Sequence, residues 1–391
     1  MKIVDIRAKT CRIQTQLFNG RGTRVQSSVT LLAAVTDVIR NGKPVIGFSF
    51  SATGFPAPTA QLQDRFIPRL LAATENDFTI DPKGFSPSAA LTTIIKGEKV
   101  GGDAERATAA GTIEVAVWDI VAKLAGVPAY KLIADTYNKG KTSSKIECYV
   151  GGGWYSPTKT LADLEKEIRE YLDMGYRTIK IKAGGMPLAQ DIERIDAALK
   201  IVGDSSHLAV DANSGIGPDR RPDYIKALKG YNLRWFEEPT HPNDYEGNRQ
   251  FIADYGNPIA TGENQFSLQD LKNLALYGGM RPGTDILQWD IPHCYGIEAA
   301  AQIIAMLAEL GWSPASMVPH GGNQISLNAC AGFGFGACEA YPSAFGAFSG
   351  YADGLEVENG LIAVGDWEGF GFEQQADLFA EMKQLVPEHF A

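Results

Sequence analysis

The chain has 391 residues, of which 45% are hydrophobic, 21% charged and 10% aromatic. This composition is typical of a globular protein and excludes disordered, collagen-like and fibrous chains. Thirty-six Lys and Arg against 46 Asp and Glu give a net charge of −10 without a long basic run, so neither nucleic acid nor a membrane surface is an expected partner. The length allows two or three domains, or a barrel of about 250 residues with an attached unit.

The N-terminus and the cysteines bear on the cell compartment. The opening stretch MKIVDIRAKTCRI carries a charge every two or three positions, whereas a secretory signal has an unbroken apolar core. Apolar runs such as residues 29–35 are much shorter than the roughly 18–20 residues of a membrane span. The five cysteines are scattered, with no Cys-x-x-Cys pair, so we interpret them as reduced core thiols and expect a cytoplasmic protein.

The opening part of the chain predicts an α+β unit. Residues 2–13 and 28–40 alternate like strands, and Asn41-Gly42 before VIGFSFS predicts a hairpin, so three strands form a meander. Helical patterns follow near 59–74, 86–97 and 104–125, and the last of them ends in a glycine and then a proline.

From residue 146 onward, short β-like runs recur with an amphipathic helix between each pair. The runs are IECYV, TIKIK, LAVDAN, LRWFEEP, PIATGEN, ILQWD, PASMVPH and, more weakly, FGFGACE. Eight strands that alternate with helices predict a parallel barrel.

Seven of these runs close on a polar residue. The residues are Lys182, Asp211, Glu237, Glu263, Asp290, His320 and Glu339. Their spacings are 29, 26, 26, 27, 30 and 19 residues, and one βα unit takes about 25–30. We therefore expect all seven at the C-terminal rim of the barrel, where enzymes of this architecture react.

Three carboxylates at the ends of consecutive strands predict a metal site. Asp211, Glu237 and Glu263 would converge at the barrel mouth and repel one another unless a cation lies between them. A single acidic residue at a strand end is usually a cap or an ion-pair partner, but three at an even period favour Mg²⁺, which prefers oxygen ligands.

Two lysines in TIKIKAGG form a candidate base. Lys180 and Lys182 are two residues apart on a strand, so their side chains share a face. One ammonium, with a nearby Mg²⁺, disfavours the charged form of the other, and Lys182 could then accept a proton. The alternatives for such a pair are a phosphate site or two solvated lysines.

A histidine and an aspartate form a candidate acid on the opposite side. His320 ends the seventh run and would face Lys182 across a ligand, while Asp290 on the sixth could accept the ring N–H. Glu339, if protonated, could donate a hydrogen bond to a substrate carboxylate. Four other histidines lack comparable placement and remain unassigned: His207, His241, His293 and His389.

These residues and their surroundings resemble the enolase superfamily, specifically its mandelate racemase-like branch of acid-sugar dehydratases, and within that branch the enzymes that dehydrate D-tartrate. The matching stretches are EKVGGDAER, GTIEVAVWD, KIKAGG, VDAN, WFEEP, ATGEN, LQWD, VPHGGNQISLN and CEAYP. The resemblance covers essentially the whole chain. It implies an α/β fold, a modified TIM barrel (β/α)₇β with an N-terminal α+β capping domain. It also implies a division into capping domain 1–130, catalytic barrel 131–350 and a segment 351–391 that returns to the cap.

The resemblance also implies roles for individual residues. The metal ligands fall on Asp211, Glu237 and Glu263, the base on Lys182 with Lys180 beside it, and the acid on the pair of Asp290 and His320. The residues placed near the substrate are Asn19, Lys99, Lys180, Asn213, His320 and Glu339. Asn19 lies in the lid-like loop LFNGRGTRVQ, where the likeness is weakest.

The expected reaction removes water from a hydroxy acid. Lys182 takes the proton next to a carboxylate, Mg²⁺ stabilises the resulting enediolate, and His320 protonates the departing β-hydroxyl. D-Tartrate, giving oxaloacetate, is the first choice, with Lys99 and Arg21 or Arg24 as cations for its second carboxylate. The alternatives are a larger aldarate or aldonate, an epimerase or racemase on the same site, and a metal-dependent sugar-acid binding protein without turnover.

A nicotinamide oxidoreductase is excluded because neither GGGWY nor GFGFGACE is a G-x-G-x-x-G between a strand and a helix with an acid about 20 residues on. We expect a homo-oligomer.

Overall fold

The computed structural model describes residues 2–73, 86–342 and 344–390. Its strands are β1 (Ile3–Phe18), β2 (Arg24–Arg40), β3 (Lys43–Phe50), β4 (Lys145–Gly152), β5 (Ile179–Lys182), β6 (Leu208–Asp211), β7 (Phe236–Glu237), β8 (Ile259–Thr261), β9 (Ile286–Leu287), β10 (Cys338–Ala340), β11 (Val357–Glu358) and β12 (Leu361–Ala363). Its α-helices are Thr59–Gln61, Ile67–Leu71, Pro87–Ile95, Ala104–Ala125, Ala129–Tyr137, Leu161–Asp173, Leu188–Val202, Arg221–Leu228, Tyr245–Tyr255, Leu268–Tyr277, Ile297–Glu309, Gln324–Phe333 and Ala376–Lys383.

The first three strands form the predicted antiparallel meander, in the order β1-β2-β3. The hairpin turns at Asn41 and Gly42, both with positive φ (53° and 77°), as an Asn-Gly turn requires. The long helix Ala104–Ala125 lies against this sheet so closely that a Cβ on Gly47 would stand 2.2 Å from the Ala116 carbonyl oxygen. It ends, as predicted, at Gly126 in the left-handed conformation.

The helix predicted near 59–74 is not regular. Between its two α-helical parts lies a π-helical turn, Leu62–Phe66, where the Ile67 N–H donates to the Leu62 carbonyl five residues earlier. Pro68, the second residue after this turn, has no N–H to donate to the α-helical ladder. Its missing donor explains the π-helical turn. Residue 74, the last of the predicted helix, lies outside the described residues.

The later strands form a parallel barrel in chain order. Each of β4 to β8 pairs with the next strand, and β10 returns to pair with β4 in parallel. The run predicted as the seventh strand is reduced to one bridge, between Met317 and Leu287. Pro314 and Pro319 flank it and supply no N–H, so the ladder cannot extend. The architecture is the expected α/β barrel with an N-terminal α+β cap.

Apolar side chains fill the barrel, and the charged residues predicted for the site lie beyond them at one end. An interior layer consists of Tyr149, Ala209, Trp235, Ala260, Val318 and Ala337. The polar ends of β5, β6 and β7 lie on the C-terminal side of this layer, which places their charged groups at the mouth.

The C-terminal segment contacts both the barrel and the cap. β12 pairs antiparallel with β4, an addition to the barrel that the sequence did not indicate. Beyond it, Glu381 accepts a hydrogen bond from Lys9 of β1 at 3.0 Å, and the Leu385 carbonyl accepts one from Arg7. Across the described ranges, no helix has the length and apolar character needed to cross a bilayer.

Candidate active site

Two of the predicted metal ligands lie side by side. Asp211 and Glu237 are register partners on the paired strands β6 and β7, and both are fully buried. Glu263 lies two residues beyond β8, after Gly262, and its side chain is 15% exposed. The parallel register therefore brings the three carboxylates to one side of the barrel mouth.

The two lysines contact these carboxylates directly. Lys180 Nζ lies 2.5 Å from Glu237 Oε1, 2.7 Å from Glu339 Oε1 and 3.8 Å from Asp211 Oδ2. Lys182 donates to Asp211 Oδ2. Burial lowers the pKa of Lys180, but Glu237 and Glu339 outweigh burial and hold that pKa well above its ordinary value. Lys180 is thus a fixed cation that neutralises the carboxylates on either side of it.

Backbone and amide donors fix the Asp211 carboxylate. Its Oδ1 accepts from the Asn213 N–H at 2.8 Å, and its Oδ2 accepts from the Asn213 carboxamide at 3.1 Å. The other end of that carboxamide accepts from the Gly20 N–H at 3.1 Å. Burial raises the pKa of Asp211, but Lys182 and Lys180 outweigh it, so the pKa is lowered and the group is ionised.

The second carboxylate oxygen of Glu237 also accepts hydrogen bonds. Oε2 accepts from Trp235 Nε1 at 2.9 Å and from Gln288 Nε2 at 2.8 Å. Neither donor was predicted from the sequence, because an indole or an amide inside a barrel has no recognisable motif.

The donor set fits Mg²⁺ by its chemistry. All three predicted ligands are carboxylates, and Glu263 Oε2 is buried without a hydrogen-bond partner in the described structure. Among residues 2–73, 86–342 and 344–390, no three or more His, Cys, Asp or Glu side chains already lie in metal-binding geometry. Oxygens of Asp211 and Glu237 contact the ammonium groups of Lys182 and Lys180 instead.

His320 and Asp290 lie together, as predicted. His320 Nδ1 is 2.9 Å from Asp290 Oδ2, and its Nε2 is 3.7 Å from Glu263 Oε2. Burial lowers the pKa of His320, but Glu263 and Asp290 outweigh it and hold the pKa well above the ordinary value. The imidazolium therefore carries a proton towards the carboxylate cluster.

The surroundings of Glu339 favour its ionised form, whereas the predicted role as a hydrogen-bond donor requires the protonated form. Its Oε1 faces the Lys180 ammonium, and its Oε2 accepts from the Gly321 N–H at 3.0 Å. Burial raises its pKa, but Lys180 and His320 outweigh burial and lower it. A buried ammonium at 2.7 Å therefore makes Glu339 a charged partner of Lys180 and removes its ability to donate a hydrogen bond.

Aromatic side chains and the cap complete the walls of the site. Lys182 Nζ lies 4.2 Å from the ring centroid of Trp154, two residues beyond β4, so the ammonium sits over the indole face. Trp154 follows a barrel strand, as the other site residues do, and that position could have identified it. The cap reaches the opposite side, where Gly54 lies against the His320 ring.

Lys99 and Asn19, both predicted to lie near the substrate, form other contacts in the described structure. Lys99 is exposed, and within the described ranges its ammonium forms no ion pair, while its carbonyl accepts from Arg106. Asn19 uses its side-chain oxygen inside its own loop, where it accepts from the N–H groups of Arg21 and Thr23. Arg24, proposed with Lys99 for a second carboxylate, donates to the Thr15 carbonyl.

The enolase C-terminal domain-like family model matches residues 163–378, more than half of the chain. The chain belongs to this family. Several curated proteins are similar to this member of the enolase C-terminal domain-like family. One is arabinonate dehydratase of Saccharolobus solfataricus, which is 27% identical over 69% of this chain and 71% of that protein. They also include L-talarate/galactarate dehydratase of Salmonella typhimurium, 27% identical over 91% of this chain and 83% of that protein. A third, 3,6-anhydro-alpha-L-galactonate cycloisomerase of Streptomyces coelicolor, is 30% identical over 69% of this chain and 70% of that protein.

Solved structures match this enolase C-terminal domain-like protein over nearly all of its length. A racemase from Streptomyces coelicolor with bound magnesium superposes with a TM-score of 0.77 at 22% identity, covering 96% of this chain and 99% of the other. L-Talarate dehydratase from Polaromonas, complexed with Mg and L-glucarate, gives a TM-score of 0.74 at 22% identity, covering 95% of this chain and 94% of the other. At such identities these matches establish the shared fold.

Proposed function

We propose that this protein is a Mg²⁺-dependent acid-sugar dehydratase, a carbon–oxygen lyase. The observation that carries the proposal is the placement of two proton-transfer groups on different sides of one carboxylate cluster. Lys182 contacts Asp211, while the His320 imidazolium lies 3.7 Å from Glu263. A substrate held at the cluster would then have a base on one side and an acid on the other.

The chain's own residues account for the proton movements. Lys182, once it has released its proton and its contact with Asp211, takes the α-proton of a hydroxy acid. His320 gives its proton to the β-hydroxyl, the carbon–oxygen bond breaks, and water leaves. The enol that remains tautomerises to a 2-keto acid. Asp290 holds the His320 ring throughout, at 2.9 Å from Nδ1.

Asp211, Glu237 and Glu263 would hold the metal. Mg²⁺ at this place supplies positive charge beside the substrate carboxylate, where negative charge develops after proton removal. Lys180 adds a fixed positive charge on the same side. The magnesium bound in the structures of the Streptomyces racemase and the Polaromonas dehydratase supports the same choice of cation.

For the substrate we propose D-tartrate, which would give oxaloacetate. A four-carbon diacid with hydroxyls on both central carbons offers one centre for proton loss and a neighbour for hydroxyl loss. The close approach of the cap favours a small substrate, because Gly54 touches His320 and a Cβ on Gly20 would stand 2.4 Å from the Ala212 carbonyl oxygen. The relatives favour the second candidate, a larger aldarate or aldonate, because they include an arabinonate dehydratase and an L-talarate/galactarate dehydratase.

Steady-state rates of 2-keto acid formation test these proposals. The panel contains D-, L- and meso-tartrate, galactarate, glucarate and arabinonate, each with Mg²⁺. A kcat/KM for D-tartrate about a hundredfold below that of a six-carbon acid, roughly 2.7 kcal/mol of lost transition-state stabilisation, overturns the tartrate assignment and leaves the dehydratase intact.

The same panel in D₂O separates the alternatives. Exchange of the α-proton without water loss identifies an epimerase or racemase, because both groups then act on one carbon. Ligand binding with neither exchange nor water loss identifies a binding protein. The division into residues 1–130, 131–350 and 351–391 and a homo-oligomeric state are also proposals, which limited proteolysis and sedimentation equilibrium would test.

A further inference from the structure

His293 is a buried histidine beside the proposed acid. It lies in the short turn Pro292–Cys294 that follows Asp290, and it is 2% exposed. Its Nδ1 is 3.2 Å from Asp290 Oδ2, and its Nε2 is 2.9 Å from the Ser51 carbonyl oxygen. Each ring nitrogen therefore faces an oxygen.

Both of these oxygens act as acceptors. A backbone carbonyl can only accept, so Nε2 donates to Ser51. Burial raises the pKa of Asp290, but His320 and His293 outweigh burial and lower it, so the carboxylate also accepts. The ring satisfies both neighbours when it donates from both nitrogens, which is the imidazolium form.

Among the described residues, only one oxygen of the Asp290 carboxylate has polar partners. Oδ2 faces both His293 Nδ1 and His320 Nδ1, whereas Oδ1 is buried and has no hydrogen-bond partner among the described residues. With only His320 present, the carboxylate could turn about its χ2 bond and present either oxygen. His293 removes that freedom.

His293 is itself held by the cap. Ser51 is fixed at the end of the cap sheet, because its N–H donates to the Thr30 carbonyl and its Oγ accepts from the Thr30 N–H, both at 3.0 Å. The rings of Phe55 and Phe266 lie 6.0 Å and 6.3 Å from the His293 ring. The imidazole thus has one orientation, which depends on a cap residue.

We propose that His293 is a positioning residue for the acid: it donates to both Ser51 and Asp290, and so fixes the carboxylate that aims His320 into the site. The role of His320 as acid rests on the proposed function. The geometric part concerns the folded protein alone and can be measured without turnover.

Nitrogen NMR of the metal-free protein, labelled with ¹⁵N-histidine, tests the geometric part. His293→Phe removes both donors, His293→Gln retains one, and His207→Gln is the matched control. The control residue, His207, lies in the turn before β6, at the other end of the barrel. Its ring forms a hydrogen bond with Thr178. We expect the His293 ring to show two N–H groups in the wild-type protein, and we expect this pair of signals to be missing in both His293 variants. We also expect the His320 Nδ1–H signal, assigned by its loss in His320→Asn, to shift or broaden in His293→Phe and to stay unchanged in the control. An unchanged His320 signal in His293→Phe overturns the proposal.

Kinetics in D₂O test its consequence. In His293→Phe we expect water loss to fall by about 10- to 100-fold, the usual range for residues that orient an active group, while α-proton exchange stays within about threefold. His293→Gln should recover part of the loss because it still offers a donor to Asp290. Equal loss of both activities would indicate general damage to the site and reject the proposal. If the wild-type protein performs neither reaction, the proposed function fails, and the NMR comparison still decides whether His293 positions His320.

Discussion

Gly54 of the cap lies against the imidazole of His320, and a Cβ atom on Gly54 would stand 2.7 Å from Cε1 of that ring. The backbone of Gly54 has φ +100°, a conformation that residues other than glycine rarely adopt. The cap therefore lies in direct contact with the proposed acid, and a methyl group on Gly54 would push the cap and the His320 ring apart.

The first prediction concerns this contact. Gly54→Ala should lower kcat/KM about tenfold or more, since the methyl group must displace either the cap loop or the His320 ring. Gly203→Ala is the control, because Gly203 has φ +81° and no described atom within 4 Å of a Cβ there. Thermal unfolding of both variants should show the stability lost to the positive φ, with a further loss in Gly54→Ala from the contact with His320, and steady-state rates should fall only for Gly54→Ala. Equal rates in the two variants would contradict a wall at this position.

The second prediction concerns the metal. Glu237→Gln removes one ligand charge from a buried cluster, so we expect Mg²⁺ affinity to fall about tenfold or more and turnover to be abolished. Calorimetric titration with Mg²⁺ and assays after EDTA dialysis measure the two effects. Glu309→Gln, on an exposed helix position, is the control and should match the wild-type protein. Full activity of EDTA-treated wild-type protein, with metal content verified, would refute the metal site.

The third prediction separates the two proton-transfer groups. Lys182→Ala should stop exchange of the substrate α-proton with D₂O, whereas His320→Asn should preserve exchange and stop water loss. Proton NMR of the substrate follows exchange, and a 2-keto acid assay follows elimination. Lys141→Ala, at an exposed loop position, controls for loss of a lysine. If the lysine variant exchanges at the full wild-type rate, another group is the base.

The fourth prediction concerns the pH dependence of stability. Burial raises the pKa of Glu114 to about 8, although the N–H groups of Glu298 and Ile297 and the indole of Trp118 donate to it. Between its unfolded pKa of 4.5 and 8, the folded protein holds a proton that the unfolded chain has lost. The free energy of unfolding contributed by this group therefore falls as pH rises, by at most about 1.4 kcal/mol per unit.

Urea unfolding at pH 5.5, 6.5, 7.5 and 8.5 measures this effect as the difference between the wild-type protein and Glu114→Gln. We expect the wild-type protein to lose stability relative to the variant as pH rises, with the change levelling off above pH 8. Glu309→Gln should give a constant difference. A constant difference for Glu114→Gln as well would show that Glu114 does not retain its proton in the folded protein.

Periodicity made much of the fold predictable. The alternation of residues 28–40, the Asn41-Gly42 turn and the βα spacing each report a local preference that the tertiary structure preserves. The seventh strand was harder to predict, because prolines on both sides leave only the Met317 bridge. The same spacing selected the carboxylates, the lysines and His320, since parallel strands bring their ends to one rim.

The partners of these groups were not predictable from the sequence. His293 has no motif, and its contacts come from Asp290 three residues away and from Ser51 in a separate sheet. Glu339 was predicted to donate a hydrogen bond if protonated, but its charge state depends on its contact with Lys180, whose strand lies on the other side of β4. Such pairings arise from packing between distant segments, which local patterns do not encode.

The pairing partners of strand β4 are synthesised at very different times. It pairs with β5 directly after it, but its other neighbours are β10 and β12, which are made far later. At typical ribosomal rates of about 5–20 residues per second, roughly 10–40 seconds pass between completion of β4 and arrival of Cys338–Ala340. During that interval the unpaired edge of β4 is open to other nascent chains or chaperones. Mutations that weaken β10 should therefore reduce the yield of folded protein in the cell more than they reduce the activity of the molecules that fold.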